Sequence, residues 1–307
     1  MNARPPKKPR DLVDGVLLID KPVGLSSNDA LTKVKRIVNA KKAGHTGTLD
    51  PFATGLLPLC FGEATKFSQD LLEADKTYDA VVHLGVTTTT GDTEGEVVET
   101  RPVDVTVEQI EAALARFRGP ILQVPPMYSA LKRDGKALYE YAREGITLER
   151  EARPVTIHKL EMLAYEAPML TIRVTCSKGT YVRVLGEDIG SALGCGAHLN
   201  ALRRIEVGAL TVAGMVTLEQ LQAHDNPLSL LAPVDALLSS FPRVDLTQEL
   251  AARFLNGQRL ALNREPVALP ATTGRVRVYH DGKLLGTAIL QDYGVLAPER
   301  LIARPQG

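Results

Sequence analysis

Val16, Leu17, Leu18 and Ile19 form an unbroken apolar run between Gly15 and Asp20, the pattern of a short buried strand. The turn Lys21-Pro22-Val23-Gly24 follows, and Ser26 and Ser27 stand as N-caps ahead of Leu31, Val34, Ile37 and Val38, which recur at helical spacing. Tyr78, Ala80, Val82 and Leu84 alternate like a strand with one buried face. Thr106 and Gln109 make a capping box for a helix whose apolar stripe is Ile110, Ala113, Leu114 and Phe117. The prolines of Val124-Pro125-Pro126-Met127 then break regular structure, and a charged, tyrosine-bearing stretch runs to Gly145, an excursion from the main body. Strand patterns return over 155–162 and 170–176, a helix is predicted over 180–193, and a further strand over 201–207.

These elements interleave without the regular strand–helix beat of a parallel sheet, so the expected fold class is α+β with a central mixed or antiparallel sheet. A boundary is expected at 233–242. Beyond it, Thr247 starts a short helix ending at Asn256-Gly257, and Asp281-Gly282 makes a hairpin turn between strands over 276–279 and 284–290. The expected organisation is a basic disordered tail over 1–10, a catalytic body over 11–240 and a small β-rich domain over 241–307.

Composition narrows the class. Hydrophobic residues are 44% and charged residues 23% of the 307, enough for a soluble globular core. No apolar run approaches the roughly 18 residues of a membrane span, and the tail lacks the apolar stretch of a signal peptide. The three cysteines, Cys60, Cys176 and Cys195, are widely spaced without a C-x-x-C pair, so a disulfide framework or zinc site is not expected and a reducing cytoplasm is. Net charge is zero, yet residues 1–66 carry 11 Lys or Arg against 6 Asp or Glu. Basic residues recur at Lys132, Arg133, Lys136, Lys178, Arg183, Arg203 and Arg204. Charge alone leaves open a single positive face or a mixed, solvated surface.

Several chemistries are excluded. There is no dinucleotide-binding glycine motif after a strand, no phosphate loop, no H-E-x-x-H and no G-x-S-x-G elbow, and the six histidines lack metal-ligand spacing. Neither metal nor cofactor is expected. The segment 44–58, GHTGTLDPFATGLLP, is different: it is rich in Gly, Thr and Pro yet carries Leu49, Phe52, Leu56 and Leu57, so it is expected to be packed. Asp50 is the only acid between Asp29 and Glu63. A carboxylate in apolar surroundings needs a cationic or hydrogen-bonding partner. At this point Asp50 is either a turn cap with Pro51 or a functional acid.

The chain resembles the TruB family of bacterial tRNA pseudouridine synthases, related to the archaeal and eukaryotic Cbf5/dyskerin enzymes. The matching stretches are 15–26, 44–58, 62–66, 76–78, Leu84-Gly85 with 92–95, 123–145, 176–183 and 202–204, spread in family order over most of 12–210. Thr48 stands where many members carry Ala. The resemblance implies the pseudouridine synthase fold, with 124–150 as a thumb-like insertion and 241–307 as a PUA-like RNA-binding domain.

It also implies roles. Asp50 aligns with the catalytic aspartate and Arg183 with its ion-pair partner. Tyr78 aligns with the tyrosine that stacks on the extruded uracil and is also suggested to take the C5 proton. His45 matches the residue that fills the gap left by the flipped base, and Tyr181 and Leu202 match positions lining the uracil pocket. Leu202 also reads simply as core. In the thumb, Lys132, Arg133 and Lys136 would meet phosphates while Tyr128 and Tyr139 pack its hinge. Pseudouridine formation breaks the N1–C1′ bond, turns the uracil, joins C5 to C1′ and removes the C5 proton; a carboxylate suffices, without a cofactor. The implied function is conversion of the T-loop uridine of tRNA, position 55, by a cytoplasmic, monomeric enzyme. The alternatives are a tRNA-folding chaperone of the same fold and a Cbf5-like subunit directed by a guide RNA.

Overall fold

The computed structural model describes residues 9–302; most of the expected basic tail, residues 1–8, lies outside the described residues. In chain order the elements are β1 (Gly15–Lys21), α1 (Ser27–Ile37), β2 (Ala43–His45), β3 (Thr54–Phe61), α2 (Ser68–Glu73), β4 (Lys76–Leu84), β5 (Val86–Thr88), β6 (Val97–Thr100), α3 (Val107–Ala115) and β7 (Gly119–Gln123). Then come the hairpin β8 (Lys132–Arg133) and β9 (Lys136–Ala137), α4 (Leu138–Arg143), β10 (Arg153–Glu166), β11 (Met169–Cys176), α5 (Val182–Ala192), β12 (Ala197–Val207), β13 (Leu210–Thr211) and α6 (Leu218–Ala223). The last elements are β14 (Arg243–Asp245), α7 (Gln248–Leu255), β15 (Leu260–Ala261), β16 (Gly274–His280), β17 (Lys283–Gln291) and β18 (Val295–Leu301).

The first part builds a nine-stranded sheet in the order β1-β3-β12-β4-β11-β10-β7, with β2 added on β3 and β13 on β12. Every pairing along this order is antiparallel except β3 with β12, where Arg203 lies opposite Thr54 and Arg204 opposite Gly55. That contact needs a glycine. Gly55 has φ +97°, and a Cβ there would stand 2.3 Å from the Arg204 carbonyl oxygen. The mixed sheet expected from the pattern is therefore present, and its one parallel join lies within the 44–58 segment, at Thr54 and Gly55.

Alternation explains the core. Ala80, Val82 and Leu84 on β4 pack with Leu170, Ile172 and Val174 on β11 and with Leu185 and Ile189 on α5. Of the predicted caps, Ser26 forms, its Oγ accepting from Asp29 N at 3.1 Å, and Thr106 and Gln109 close their box reciprocally. Ser27 is not a cap but the first helical residue, its hydroxyl turned to Leu49. Several segments escaped the pattern, among them β2, β3 and β7, the start of β12, and β6. β12 starts at Ala197 rather than at 201, and Ala197, His198 and Leu199 are all buried, so its first residues do not divide into one buried and one open face. β6 is exposed at every residue and shows no apolar face.

The last strands form a separate five-stranded sheet, β14-β16-β17-β18-β15, around Val244, Phe254, Val276, Val278 and Leu296. Asp281 (φ 48°) and Gly282 (φ 70°) make the predicted left-handed turn between β16 and β17. Polar contacts hold this sheet to the body: Arg275 pairs with Asp70, the Tyr279 hydroxyl donates to Asp235 Oδ2 at 2.5 Å, and Lys66 Nζ donates to the Leu301 carbonyl at 2.9 Å.

The recurring basic residues do not assemble into one positive face. Arg204 is 1% exposed, Arg203 makes a two-pronged pair with Asp20, Lys178 pairs with Glu73, and Arg183 is buried. Their charge serves the interior and local pairing. Residue type along the chain does not distinguish such positions from solvated ones.

Candidate active site

The 44–58 segment packs as its apolar residues require: Leu49 and Phe52 are buried, as are Leu56 and Leu57 on β3. Three side chains strap its backbone. Ser27 Oγ accepts from Leu49 N at 2.8 Å and donates to Leu49 O at 3.1 Å. Lys21 Nζ donates to Pro51 O at 3.3 Å as well as to Pro22 O and Leu25 O. Arg204 Nη2 donates to Gly47 O at 3.1 Å. Backbone bonds add Gly24 N to Pro51 O at 2.8 Å and Ala53 N to Asp50 O at 3.1 Å. Asp50 thus projects from a loop fixed on both sides, and of the two uses left open by sequence, the structure pairs it with a cation.

That cation is Arg183. Its Nε lies 3.0 Å from Asp50 Oδ2 and its Nη1 3.3 Å from Asp92 Oδ2. Nη1 also donates to Thr90 O at 2.9 Å and Nη2 to Tyr128 O at 2.6 Å. The guanidinium is spread over two carboxylates and two carbonyls, a geometry for its planar fork. Arg183 lies in the first turn of α5, whose N-cap is Tyr181. Asp92 is itself fixed, with Oδ1 accepting from Thr90 Oγ1 at 2.5 Å and from Glu94 N at 3.0 Å.

Burial dominates the electrostatics. It pushes the Asp50 carboxyl above its ordinary pKa, Arg183 pulls it back, and Asp92 pushes it up further. Lys21 is brought down to about 8 by burial, with Asp50 working against that shift. The Tyr78 phenol is pushed up by burial, with Arg204, its cross-strand neighbour, pulling the other way and Asp50 adding to the rise. A phenol in that state is protonated at neutral pH, which suits a stacking surface better than a proton acceptor. Tyr181 is likewise pushed up by burial, with Asp50 contributing. His45, on β2, is pushed down by burial and by Arg204, and its buried Nδ1 meets no hydrogen-bond partner among the described residues.

Asp50, Tyr78 and the start of α5 with Tyr181 and Arg183 are therefore drawn together from three separate stretches. Leu202 is 7% exposed and belongs to the main core cluster. The 124–150 excursion carries the hairpin β8–β9 and α4. Lys132 and Arg133 are exposed, while Lys136 Nζ is held by Glu144 at 2.6 Å over the ring of Tyr141. Tyr128 and Tyr139, expected to pack a hinge, are each 37% exposed; Tyr139 lies under the Arg143 guanidinium, and Tyr128 contributes its carbonyl to Arg183.

Pattern reading missed Asp92, Lys21, Ser27, Arg204 and Gln123 as parts of this site. Four of the five stand inside family-matched stretches and Ser27 just beyond one, but their roles come from burial and from partners more than 20 residues away in sequence. The exceptions are the local contacts of Lys21 with Pro22 and Leu25 and of Asp92 with Thr90 and Glu94. Among the described residues no group of three or more His, Cys, Asp or Glu is placed to hold a metal.

Comparison with known proteins bears on what this geometry does. The model of the TruB family pseudouridylate synthase N-terminal domain matches residues 35–182. A tRNA pseudouridylate synthase B C-terminal domain matches 183–239, and a pseudouridine synthase II TruB C-terminal model matches 242–302. The tRNA pseudouridine synthase B of Burkholderia lata is 64% identical over 299 residues, covering 97% of this chain and 92% of its own. That of Ralstonia nicotianae is 63% identical over 307 residues, covering 96% of each. Among solved structures, a Cbf5-Nop10-Gar1 complex contains a chain of TM-score 0.73 and 26% identity, covering 94% of this chain and 85% of that one. An H/ACA RNP bound to a substrate RNA containing 2′-deoxyuridine contains another, of TM-score 0.74 and 25% identity, covering 96% and 87%.

Proposed function

This chain belongs to the TruB family of pseudouridylate synthases, and from that premise we propose that it isomerises a uridine of tRNA to pseudouridine, in the T-loop at position 55. The observation that carries the reading is the pair Asp50–Arg183 at 3.0 Å, with Asp50 half-exposed and Arg183 buried. The acid is thus open to a substrate while its countercharge is not.

In this reading the uridine is flipped out of the RNA stack into the site, with its base against Tyr78 and beside Tyr181 and Leu202. Asp50, kept ionised by Arg183, acts at C1′ while the N1–C1′ bond breaks. The uracil turns, C5 bonds to C1′, C5 loses its proton, and N1 ends protonated. Atoms balance without a second reactant. His45 fills the place the base vacates, and Lys132 and Lys136 meet phosphates of the T-arm. Residues 11–240, with the thumb at 124–150, form the catalytic unit; 241–307 form a PUA-like RNA-binding unit. The enzyme acts as a monomer in the cytoplasm, on bare tRNA.

The test is incubation of the purified chain with unmodified tRNA, without any guide RNA, followed by chemical mapping of pseudouridine. Product at one T-loop uridine, absent with Asp50→Ala, is expected. No product from the wild type, or full activity in Asp50→Ala, would overturn the reading. Tight tRNA binding without product would leave the chaperone, and dependence on added guide RNA the Cbf5-like alternative.

A further inference from the structure

Both members of the ion pair are anchored just upstream by a side chain that grips the N–H and C=O of a single residue. For Asp50 the grip is Ser27 on Leu49. For Arg183 it is Gln123 on Tyr181: Gln123 Oε1 accepts from Tyr181 N at 3.0 Å, and Nε2 donates to Tyr181 O at 3.2 Å. Gln123 is 2% exposed and is the last residue of β7, at the root of the 124–150 excursion. A carboxamide carries donor and acceptor in the geometry of a peptide group, so Gln123 extends the pairing edge of β7 by one unit. Its partner, Tyr181, is the N-cap of α5, and the same Tyr181 carbonyl accepts from Leu185 N at 3.1 Å, closing the helix's first turn. Five residues beyond Gln123, the Tyr128 carbonyl accepts from Arg183 Nη2. The segment 123–128 therefore bears on Arg183 in two ways: Gln123 holds the Tyr181 main chain, two residues ahead of it, and the Tyr128 carbonyl holds its guanidinium.

We propose that Gln123 is a positioning residue of the reaction, setting the start of α5 so that the Arg183 guanidinium meets Asp50 in register. The inference rests on the reading of Asp50 and Arg183 as the catalytic pair. Gln123 touches neither directly, so it acts through Tyr181. The charged groups that bear on the outcome are Asp92, Lys21 and Glu94 around Asp50, and Arg153, the β10 register partner of Gln123, which bears on Tyr181.

Two variants test it. Gln123→Met keeps volume and loses both hydrogen bonds; Gln123→Glu keeps the acceptor and loses the donor. Turnover on tRNA is measured across the acid range, with tRNA affinity and melting temperature. Gln123→Met is expected to lower kcat by about 10- to 100-fold, with Gln123→Glu intermediate and KM within about twofold of wild type. The acid limb of kcat is expected to move to higher pH, because a misplaced guanidinium stabilises the Asp50 carboxylate less. A role confined to folding would scale the profile without moving it. Unchanged kcat, an effect confined to KM, or a lowered kcat with the acid limb in place overturns the proposal while leaving wild-type activity intact. A wild-type chain that makes no pseudouridine sinks the functional reading as well. Where Gln123→Met does not fold, Gln123→Glu decides the matter alone.

Discussion

The Asp50 carboxylate lies 3.0 Å from Arg183 Nε, with the acid's side chain 35% exposed and the arginine's 4%. The Arg183 guanidinium is shared with Asp92, so one cation serves two acids. Burial raises the proton affinity of Asp50 and Arg183 lowers it, and the proposed reaction requires that the second effect keep the acid ionised.

The first prediction concerns the fork. Lys cannot serve four acceptors in one plane, so Arg183→Lys is expected to lower kcat by about 100-fold with tRNA affinity little changed. Arg183→Met leaves Asp92 buried without its cation, and melting should report a loss of about 3–5 kcal/mol. Equal kcat for wild type and Arg183→Lys would mean that charge alone matters.

Asp92→Asn should act in two directions at once. Loss of the second carboxylate loosens Arg183, so kcat falls by about tenfold or more. Yet Asp92 also raises the proton affinity of Asp50, so its neutralisation should move the acid limb of the pH–rate profile to lower pH. In the wild type that limb marks protonation of Asp50 and should lie above the range of a free aspartate. A limb that moves up instead would show that the lost grip on Arg183 outweighs the removed charge.

Glu187, one turn beyond Arg183 on α5, is pushed up to about 7 by burial, and its carboxyl abuts Gly91. A folded-state pKa raised above 4.5 means that the folded chain holds this proton more tightly than the unfolded one. The resulting stability is present below the lower value and lost as pH rises through about 7. Glu187→Gln should therefore flatten that decline and raise Tm above wild type at pH above 7 by about 2–4 °C. A wild-type Tm that is level across this window would count against the placement of the carboxyl.

Ser27→Ala removes both bonds to Leu49 from a site that is 1% exposed. Leaving that N–H and C=O unpaired should cost about 1–3 kcal/mol in denaturant melts. Because the freed residue adjoins Asp50, kcat should fall more than KM rises, whereas a loss of stability with unchanged kcat would make Ser27 purely structural.

Read alone, the chain already contains its helix caps, its alternating strands and the Asp281-Gly282 turn, because these depend on neighbours within a few positions. It also marks Asp50, as a lone acid in a segment too apolar to solvate itself. Charge stays open in the sequence because burial is not local: Arg204 and Lys21 look like any surface cation there, yet one is 1% and the other 0% exposed. Their nearest partners include carbonyls of the 44–58 segment, brought to them by the parallel β3–β12 join and the end of β1. The grip of Gln123 on Tyr181 and the second carboxylate on Arg183 likewise exist only where the start of α5 meets the end of β7 and the β5–β6 loop. Local residues thus determined what each element is, and sheet order determined which charges face one another, since an interaction of a few ångströms across 50 or more residues leaves no period in the sequence for a reader to find.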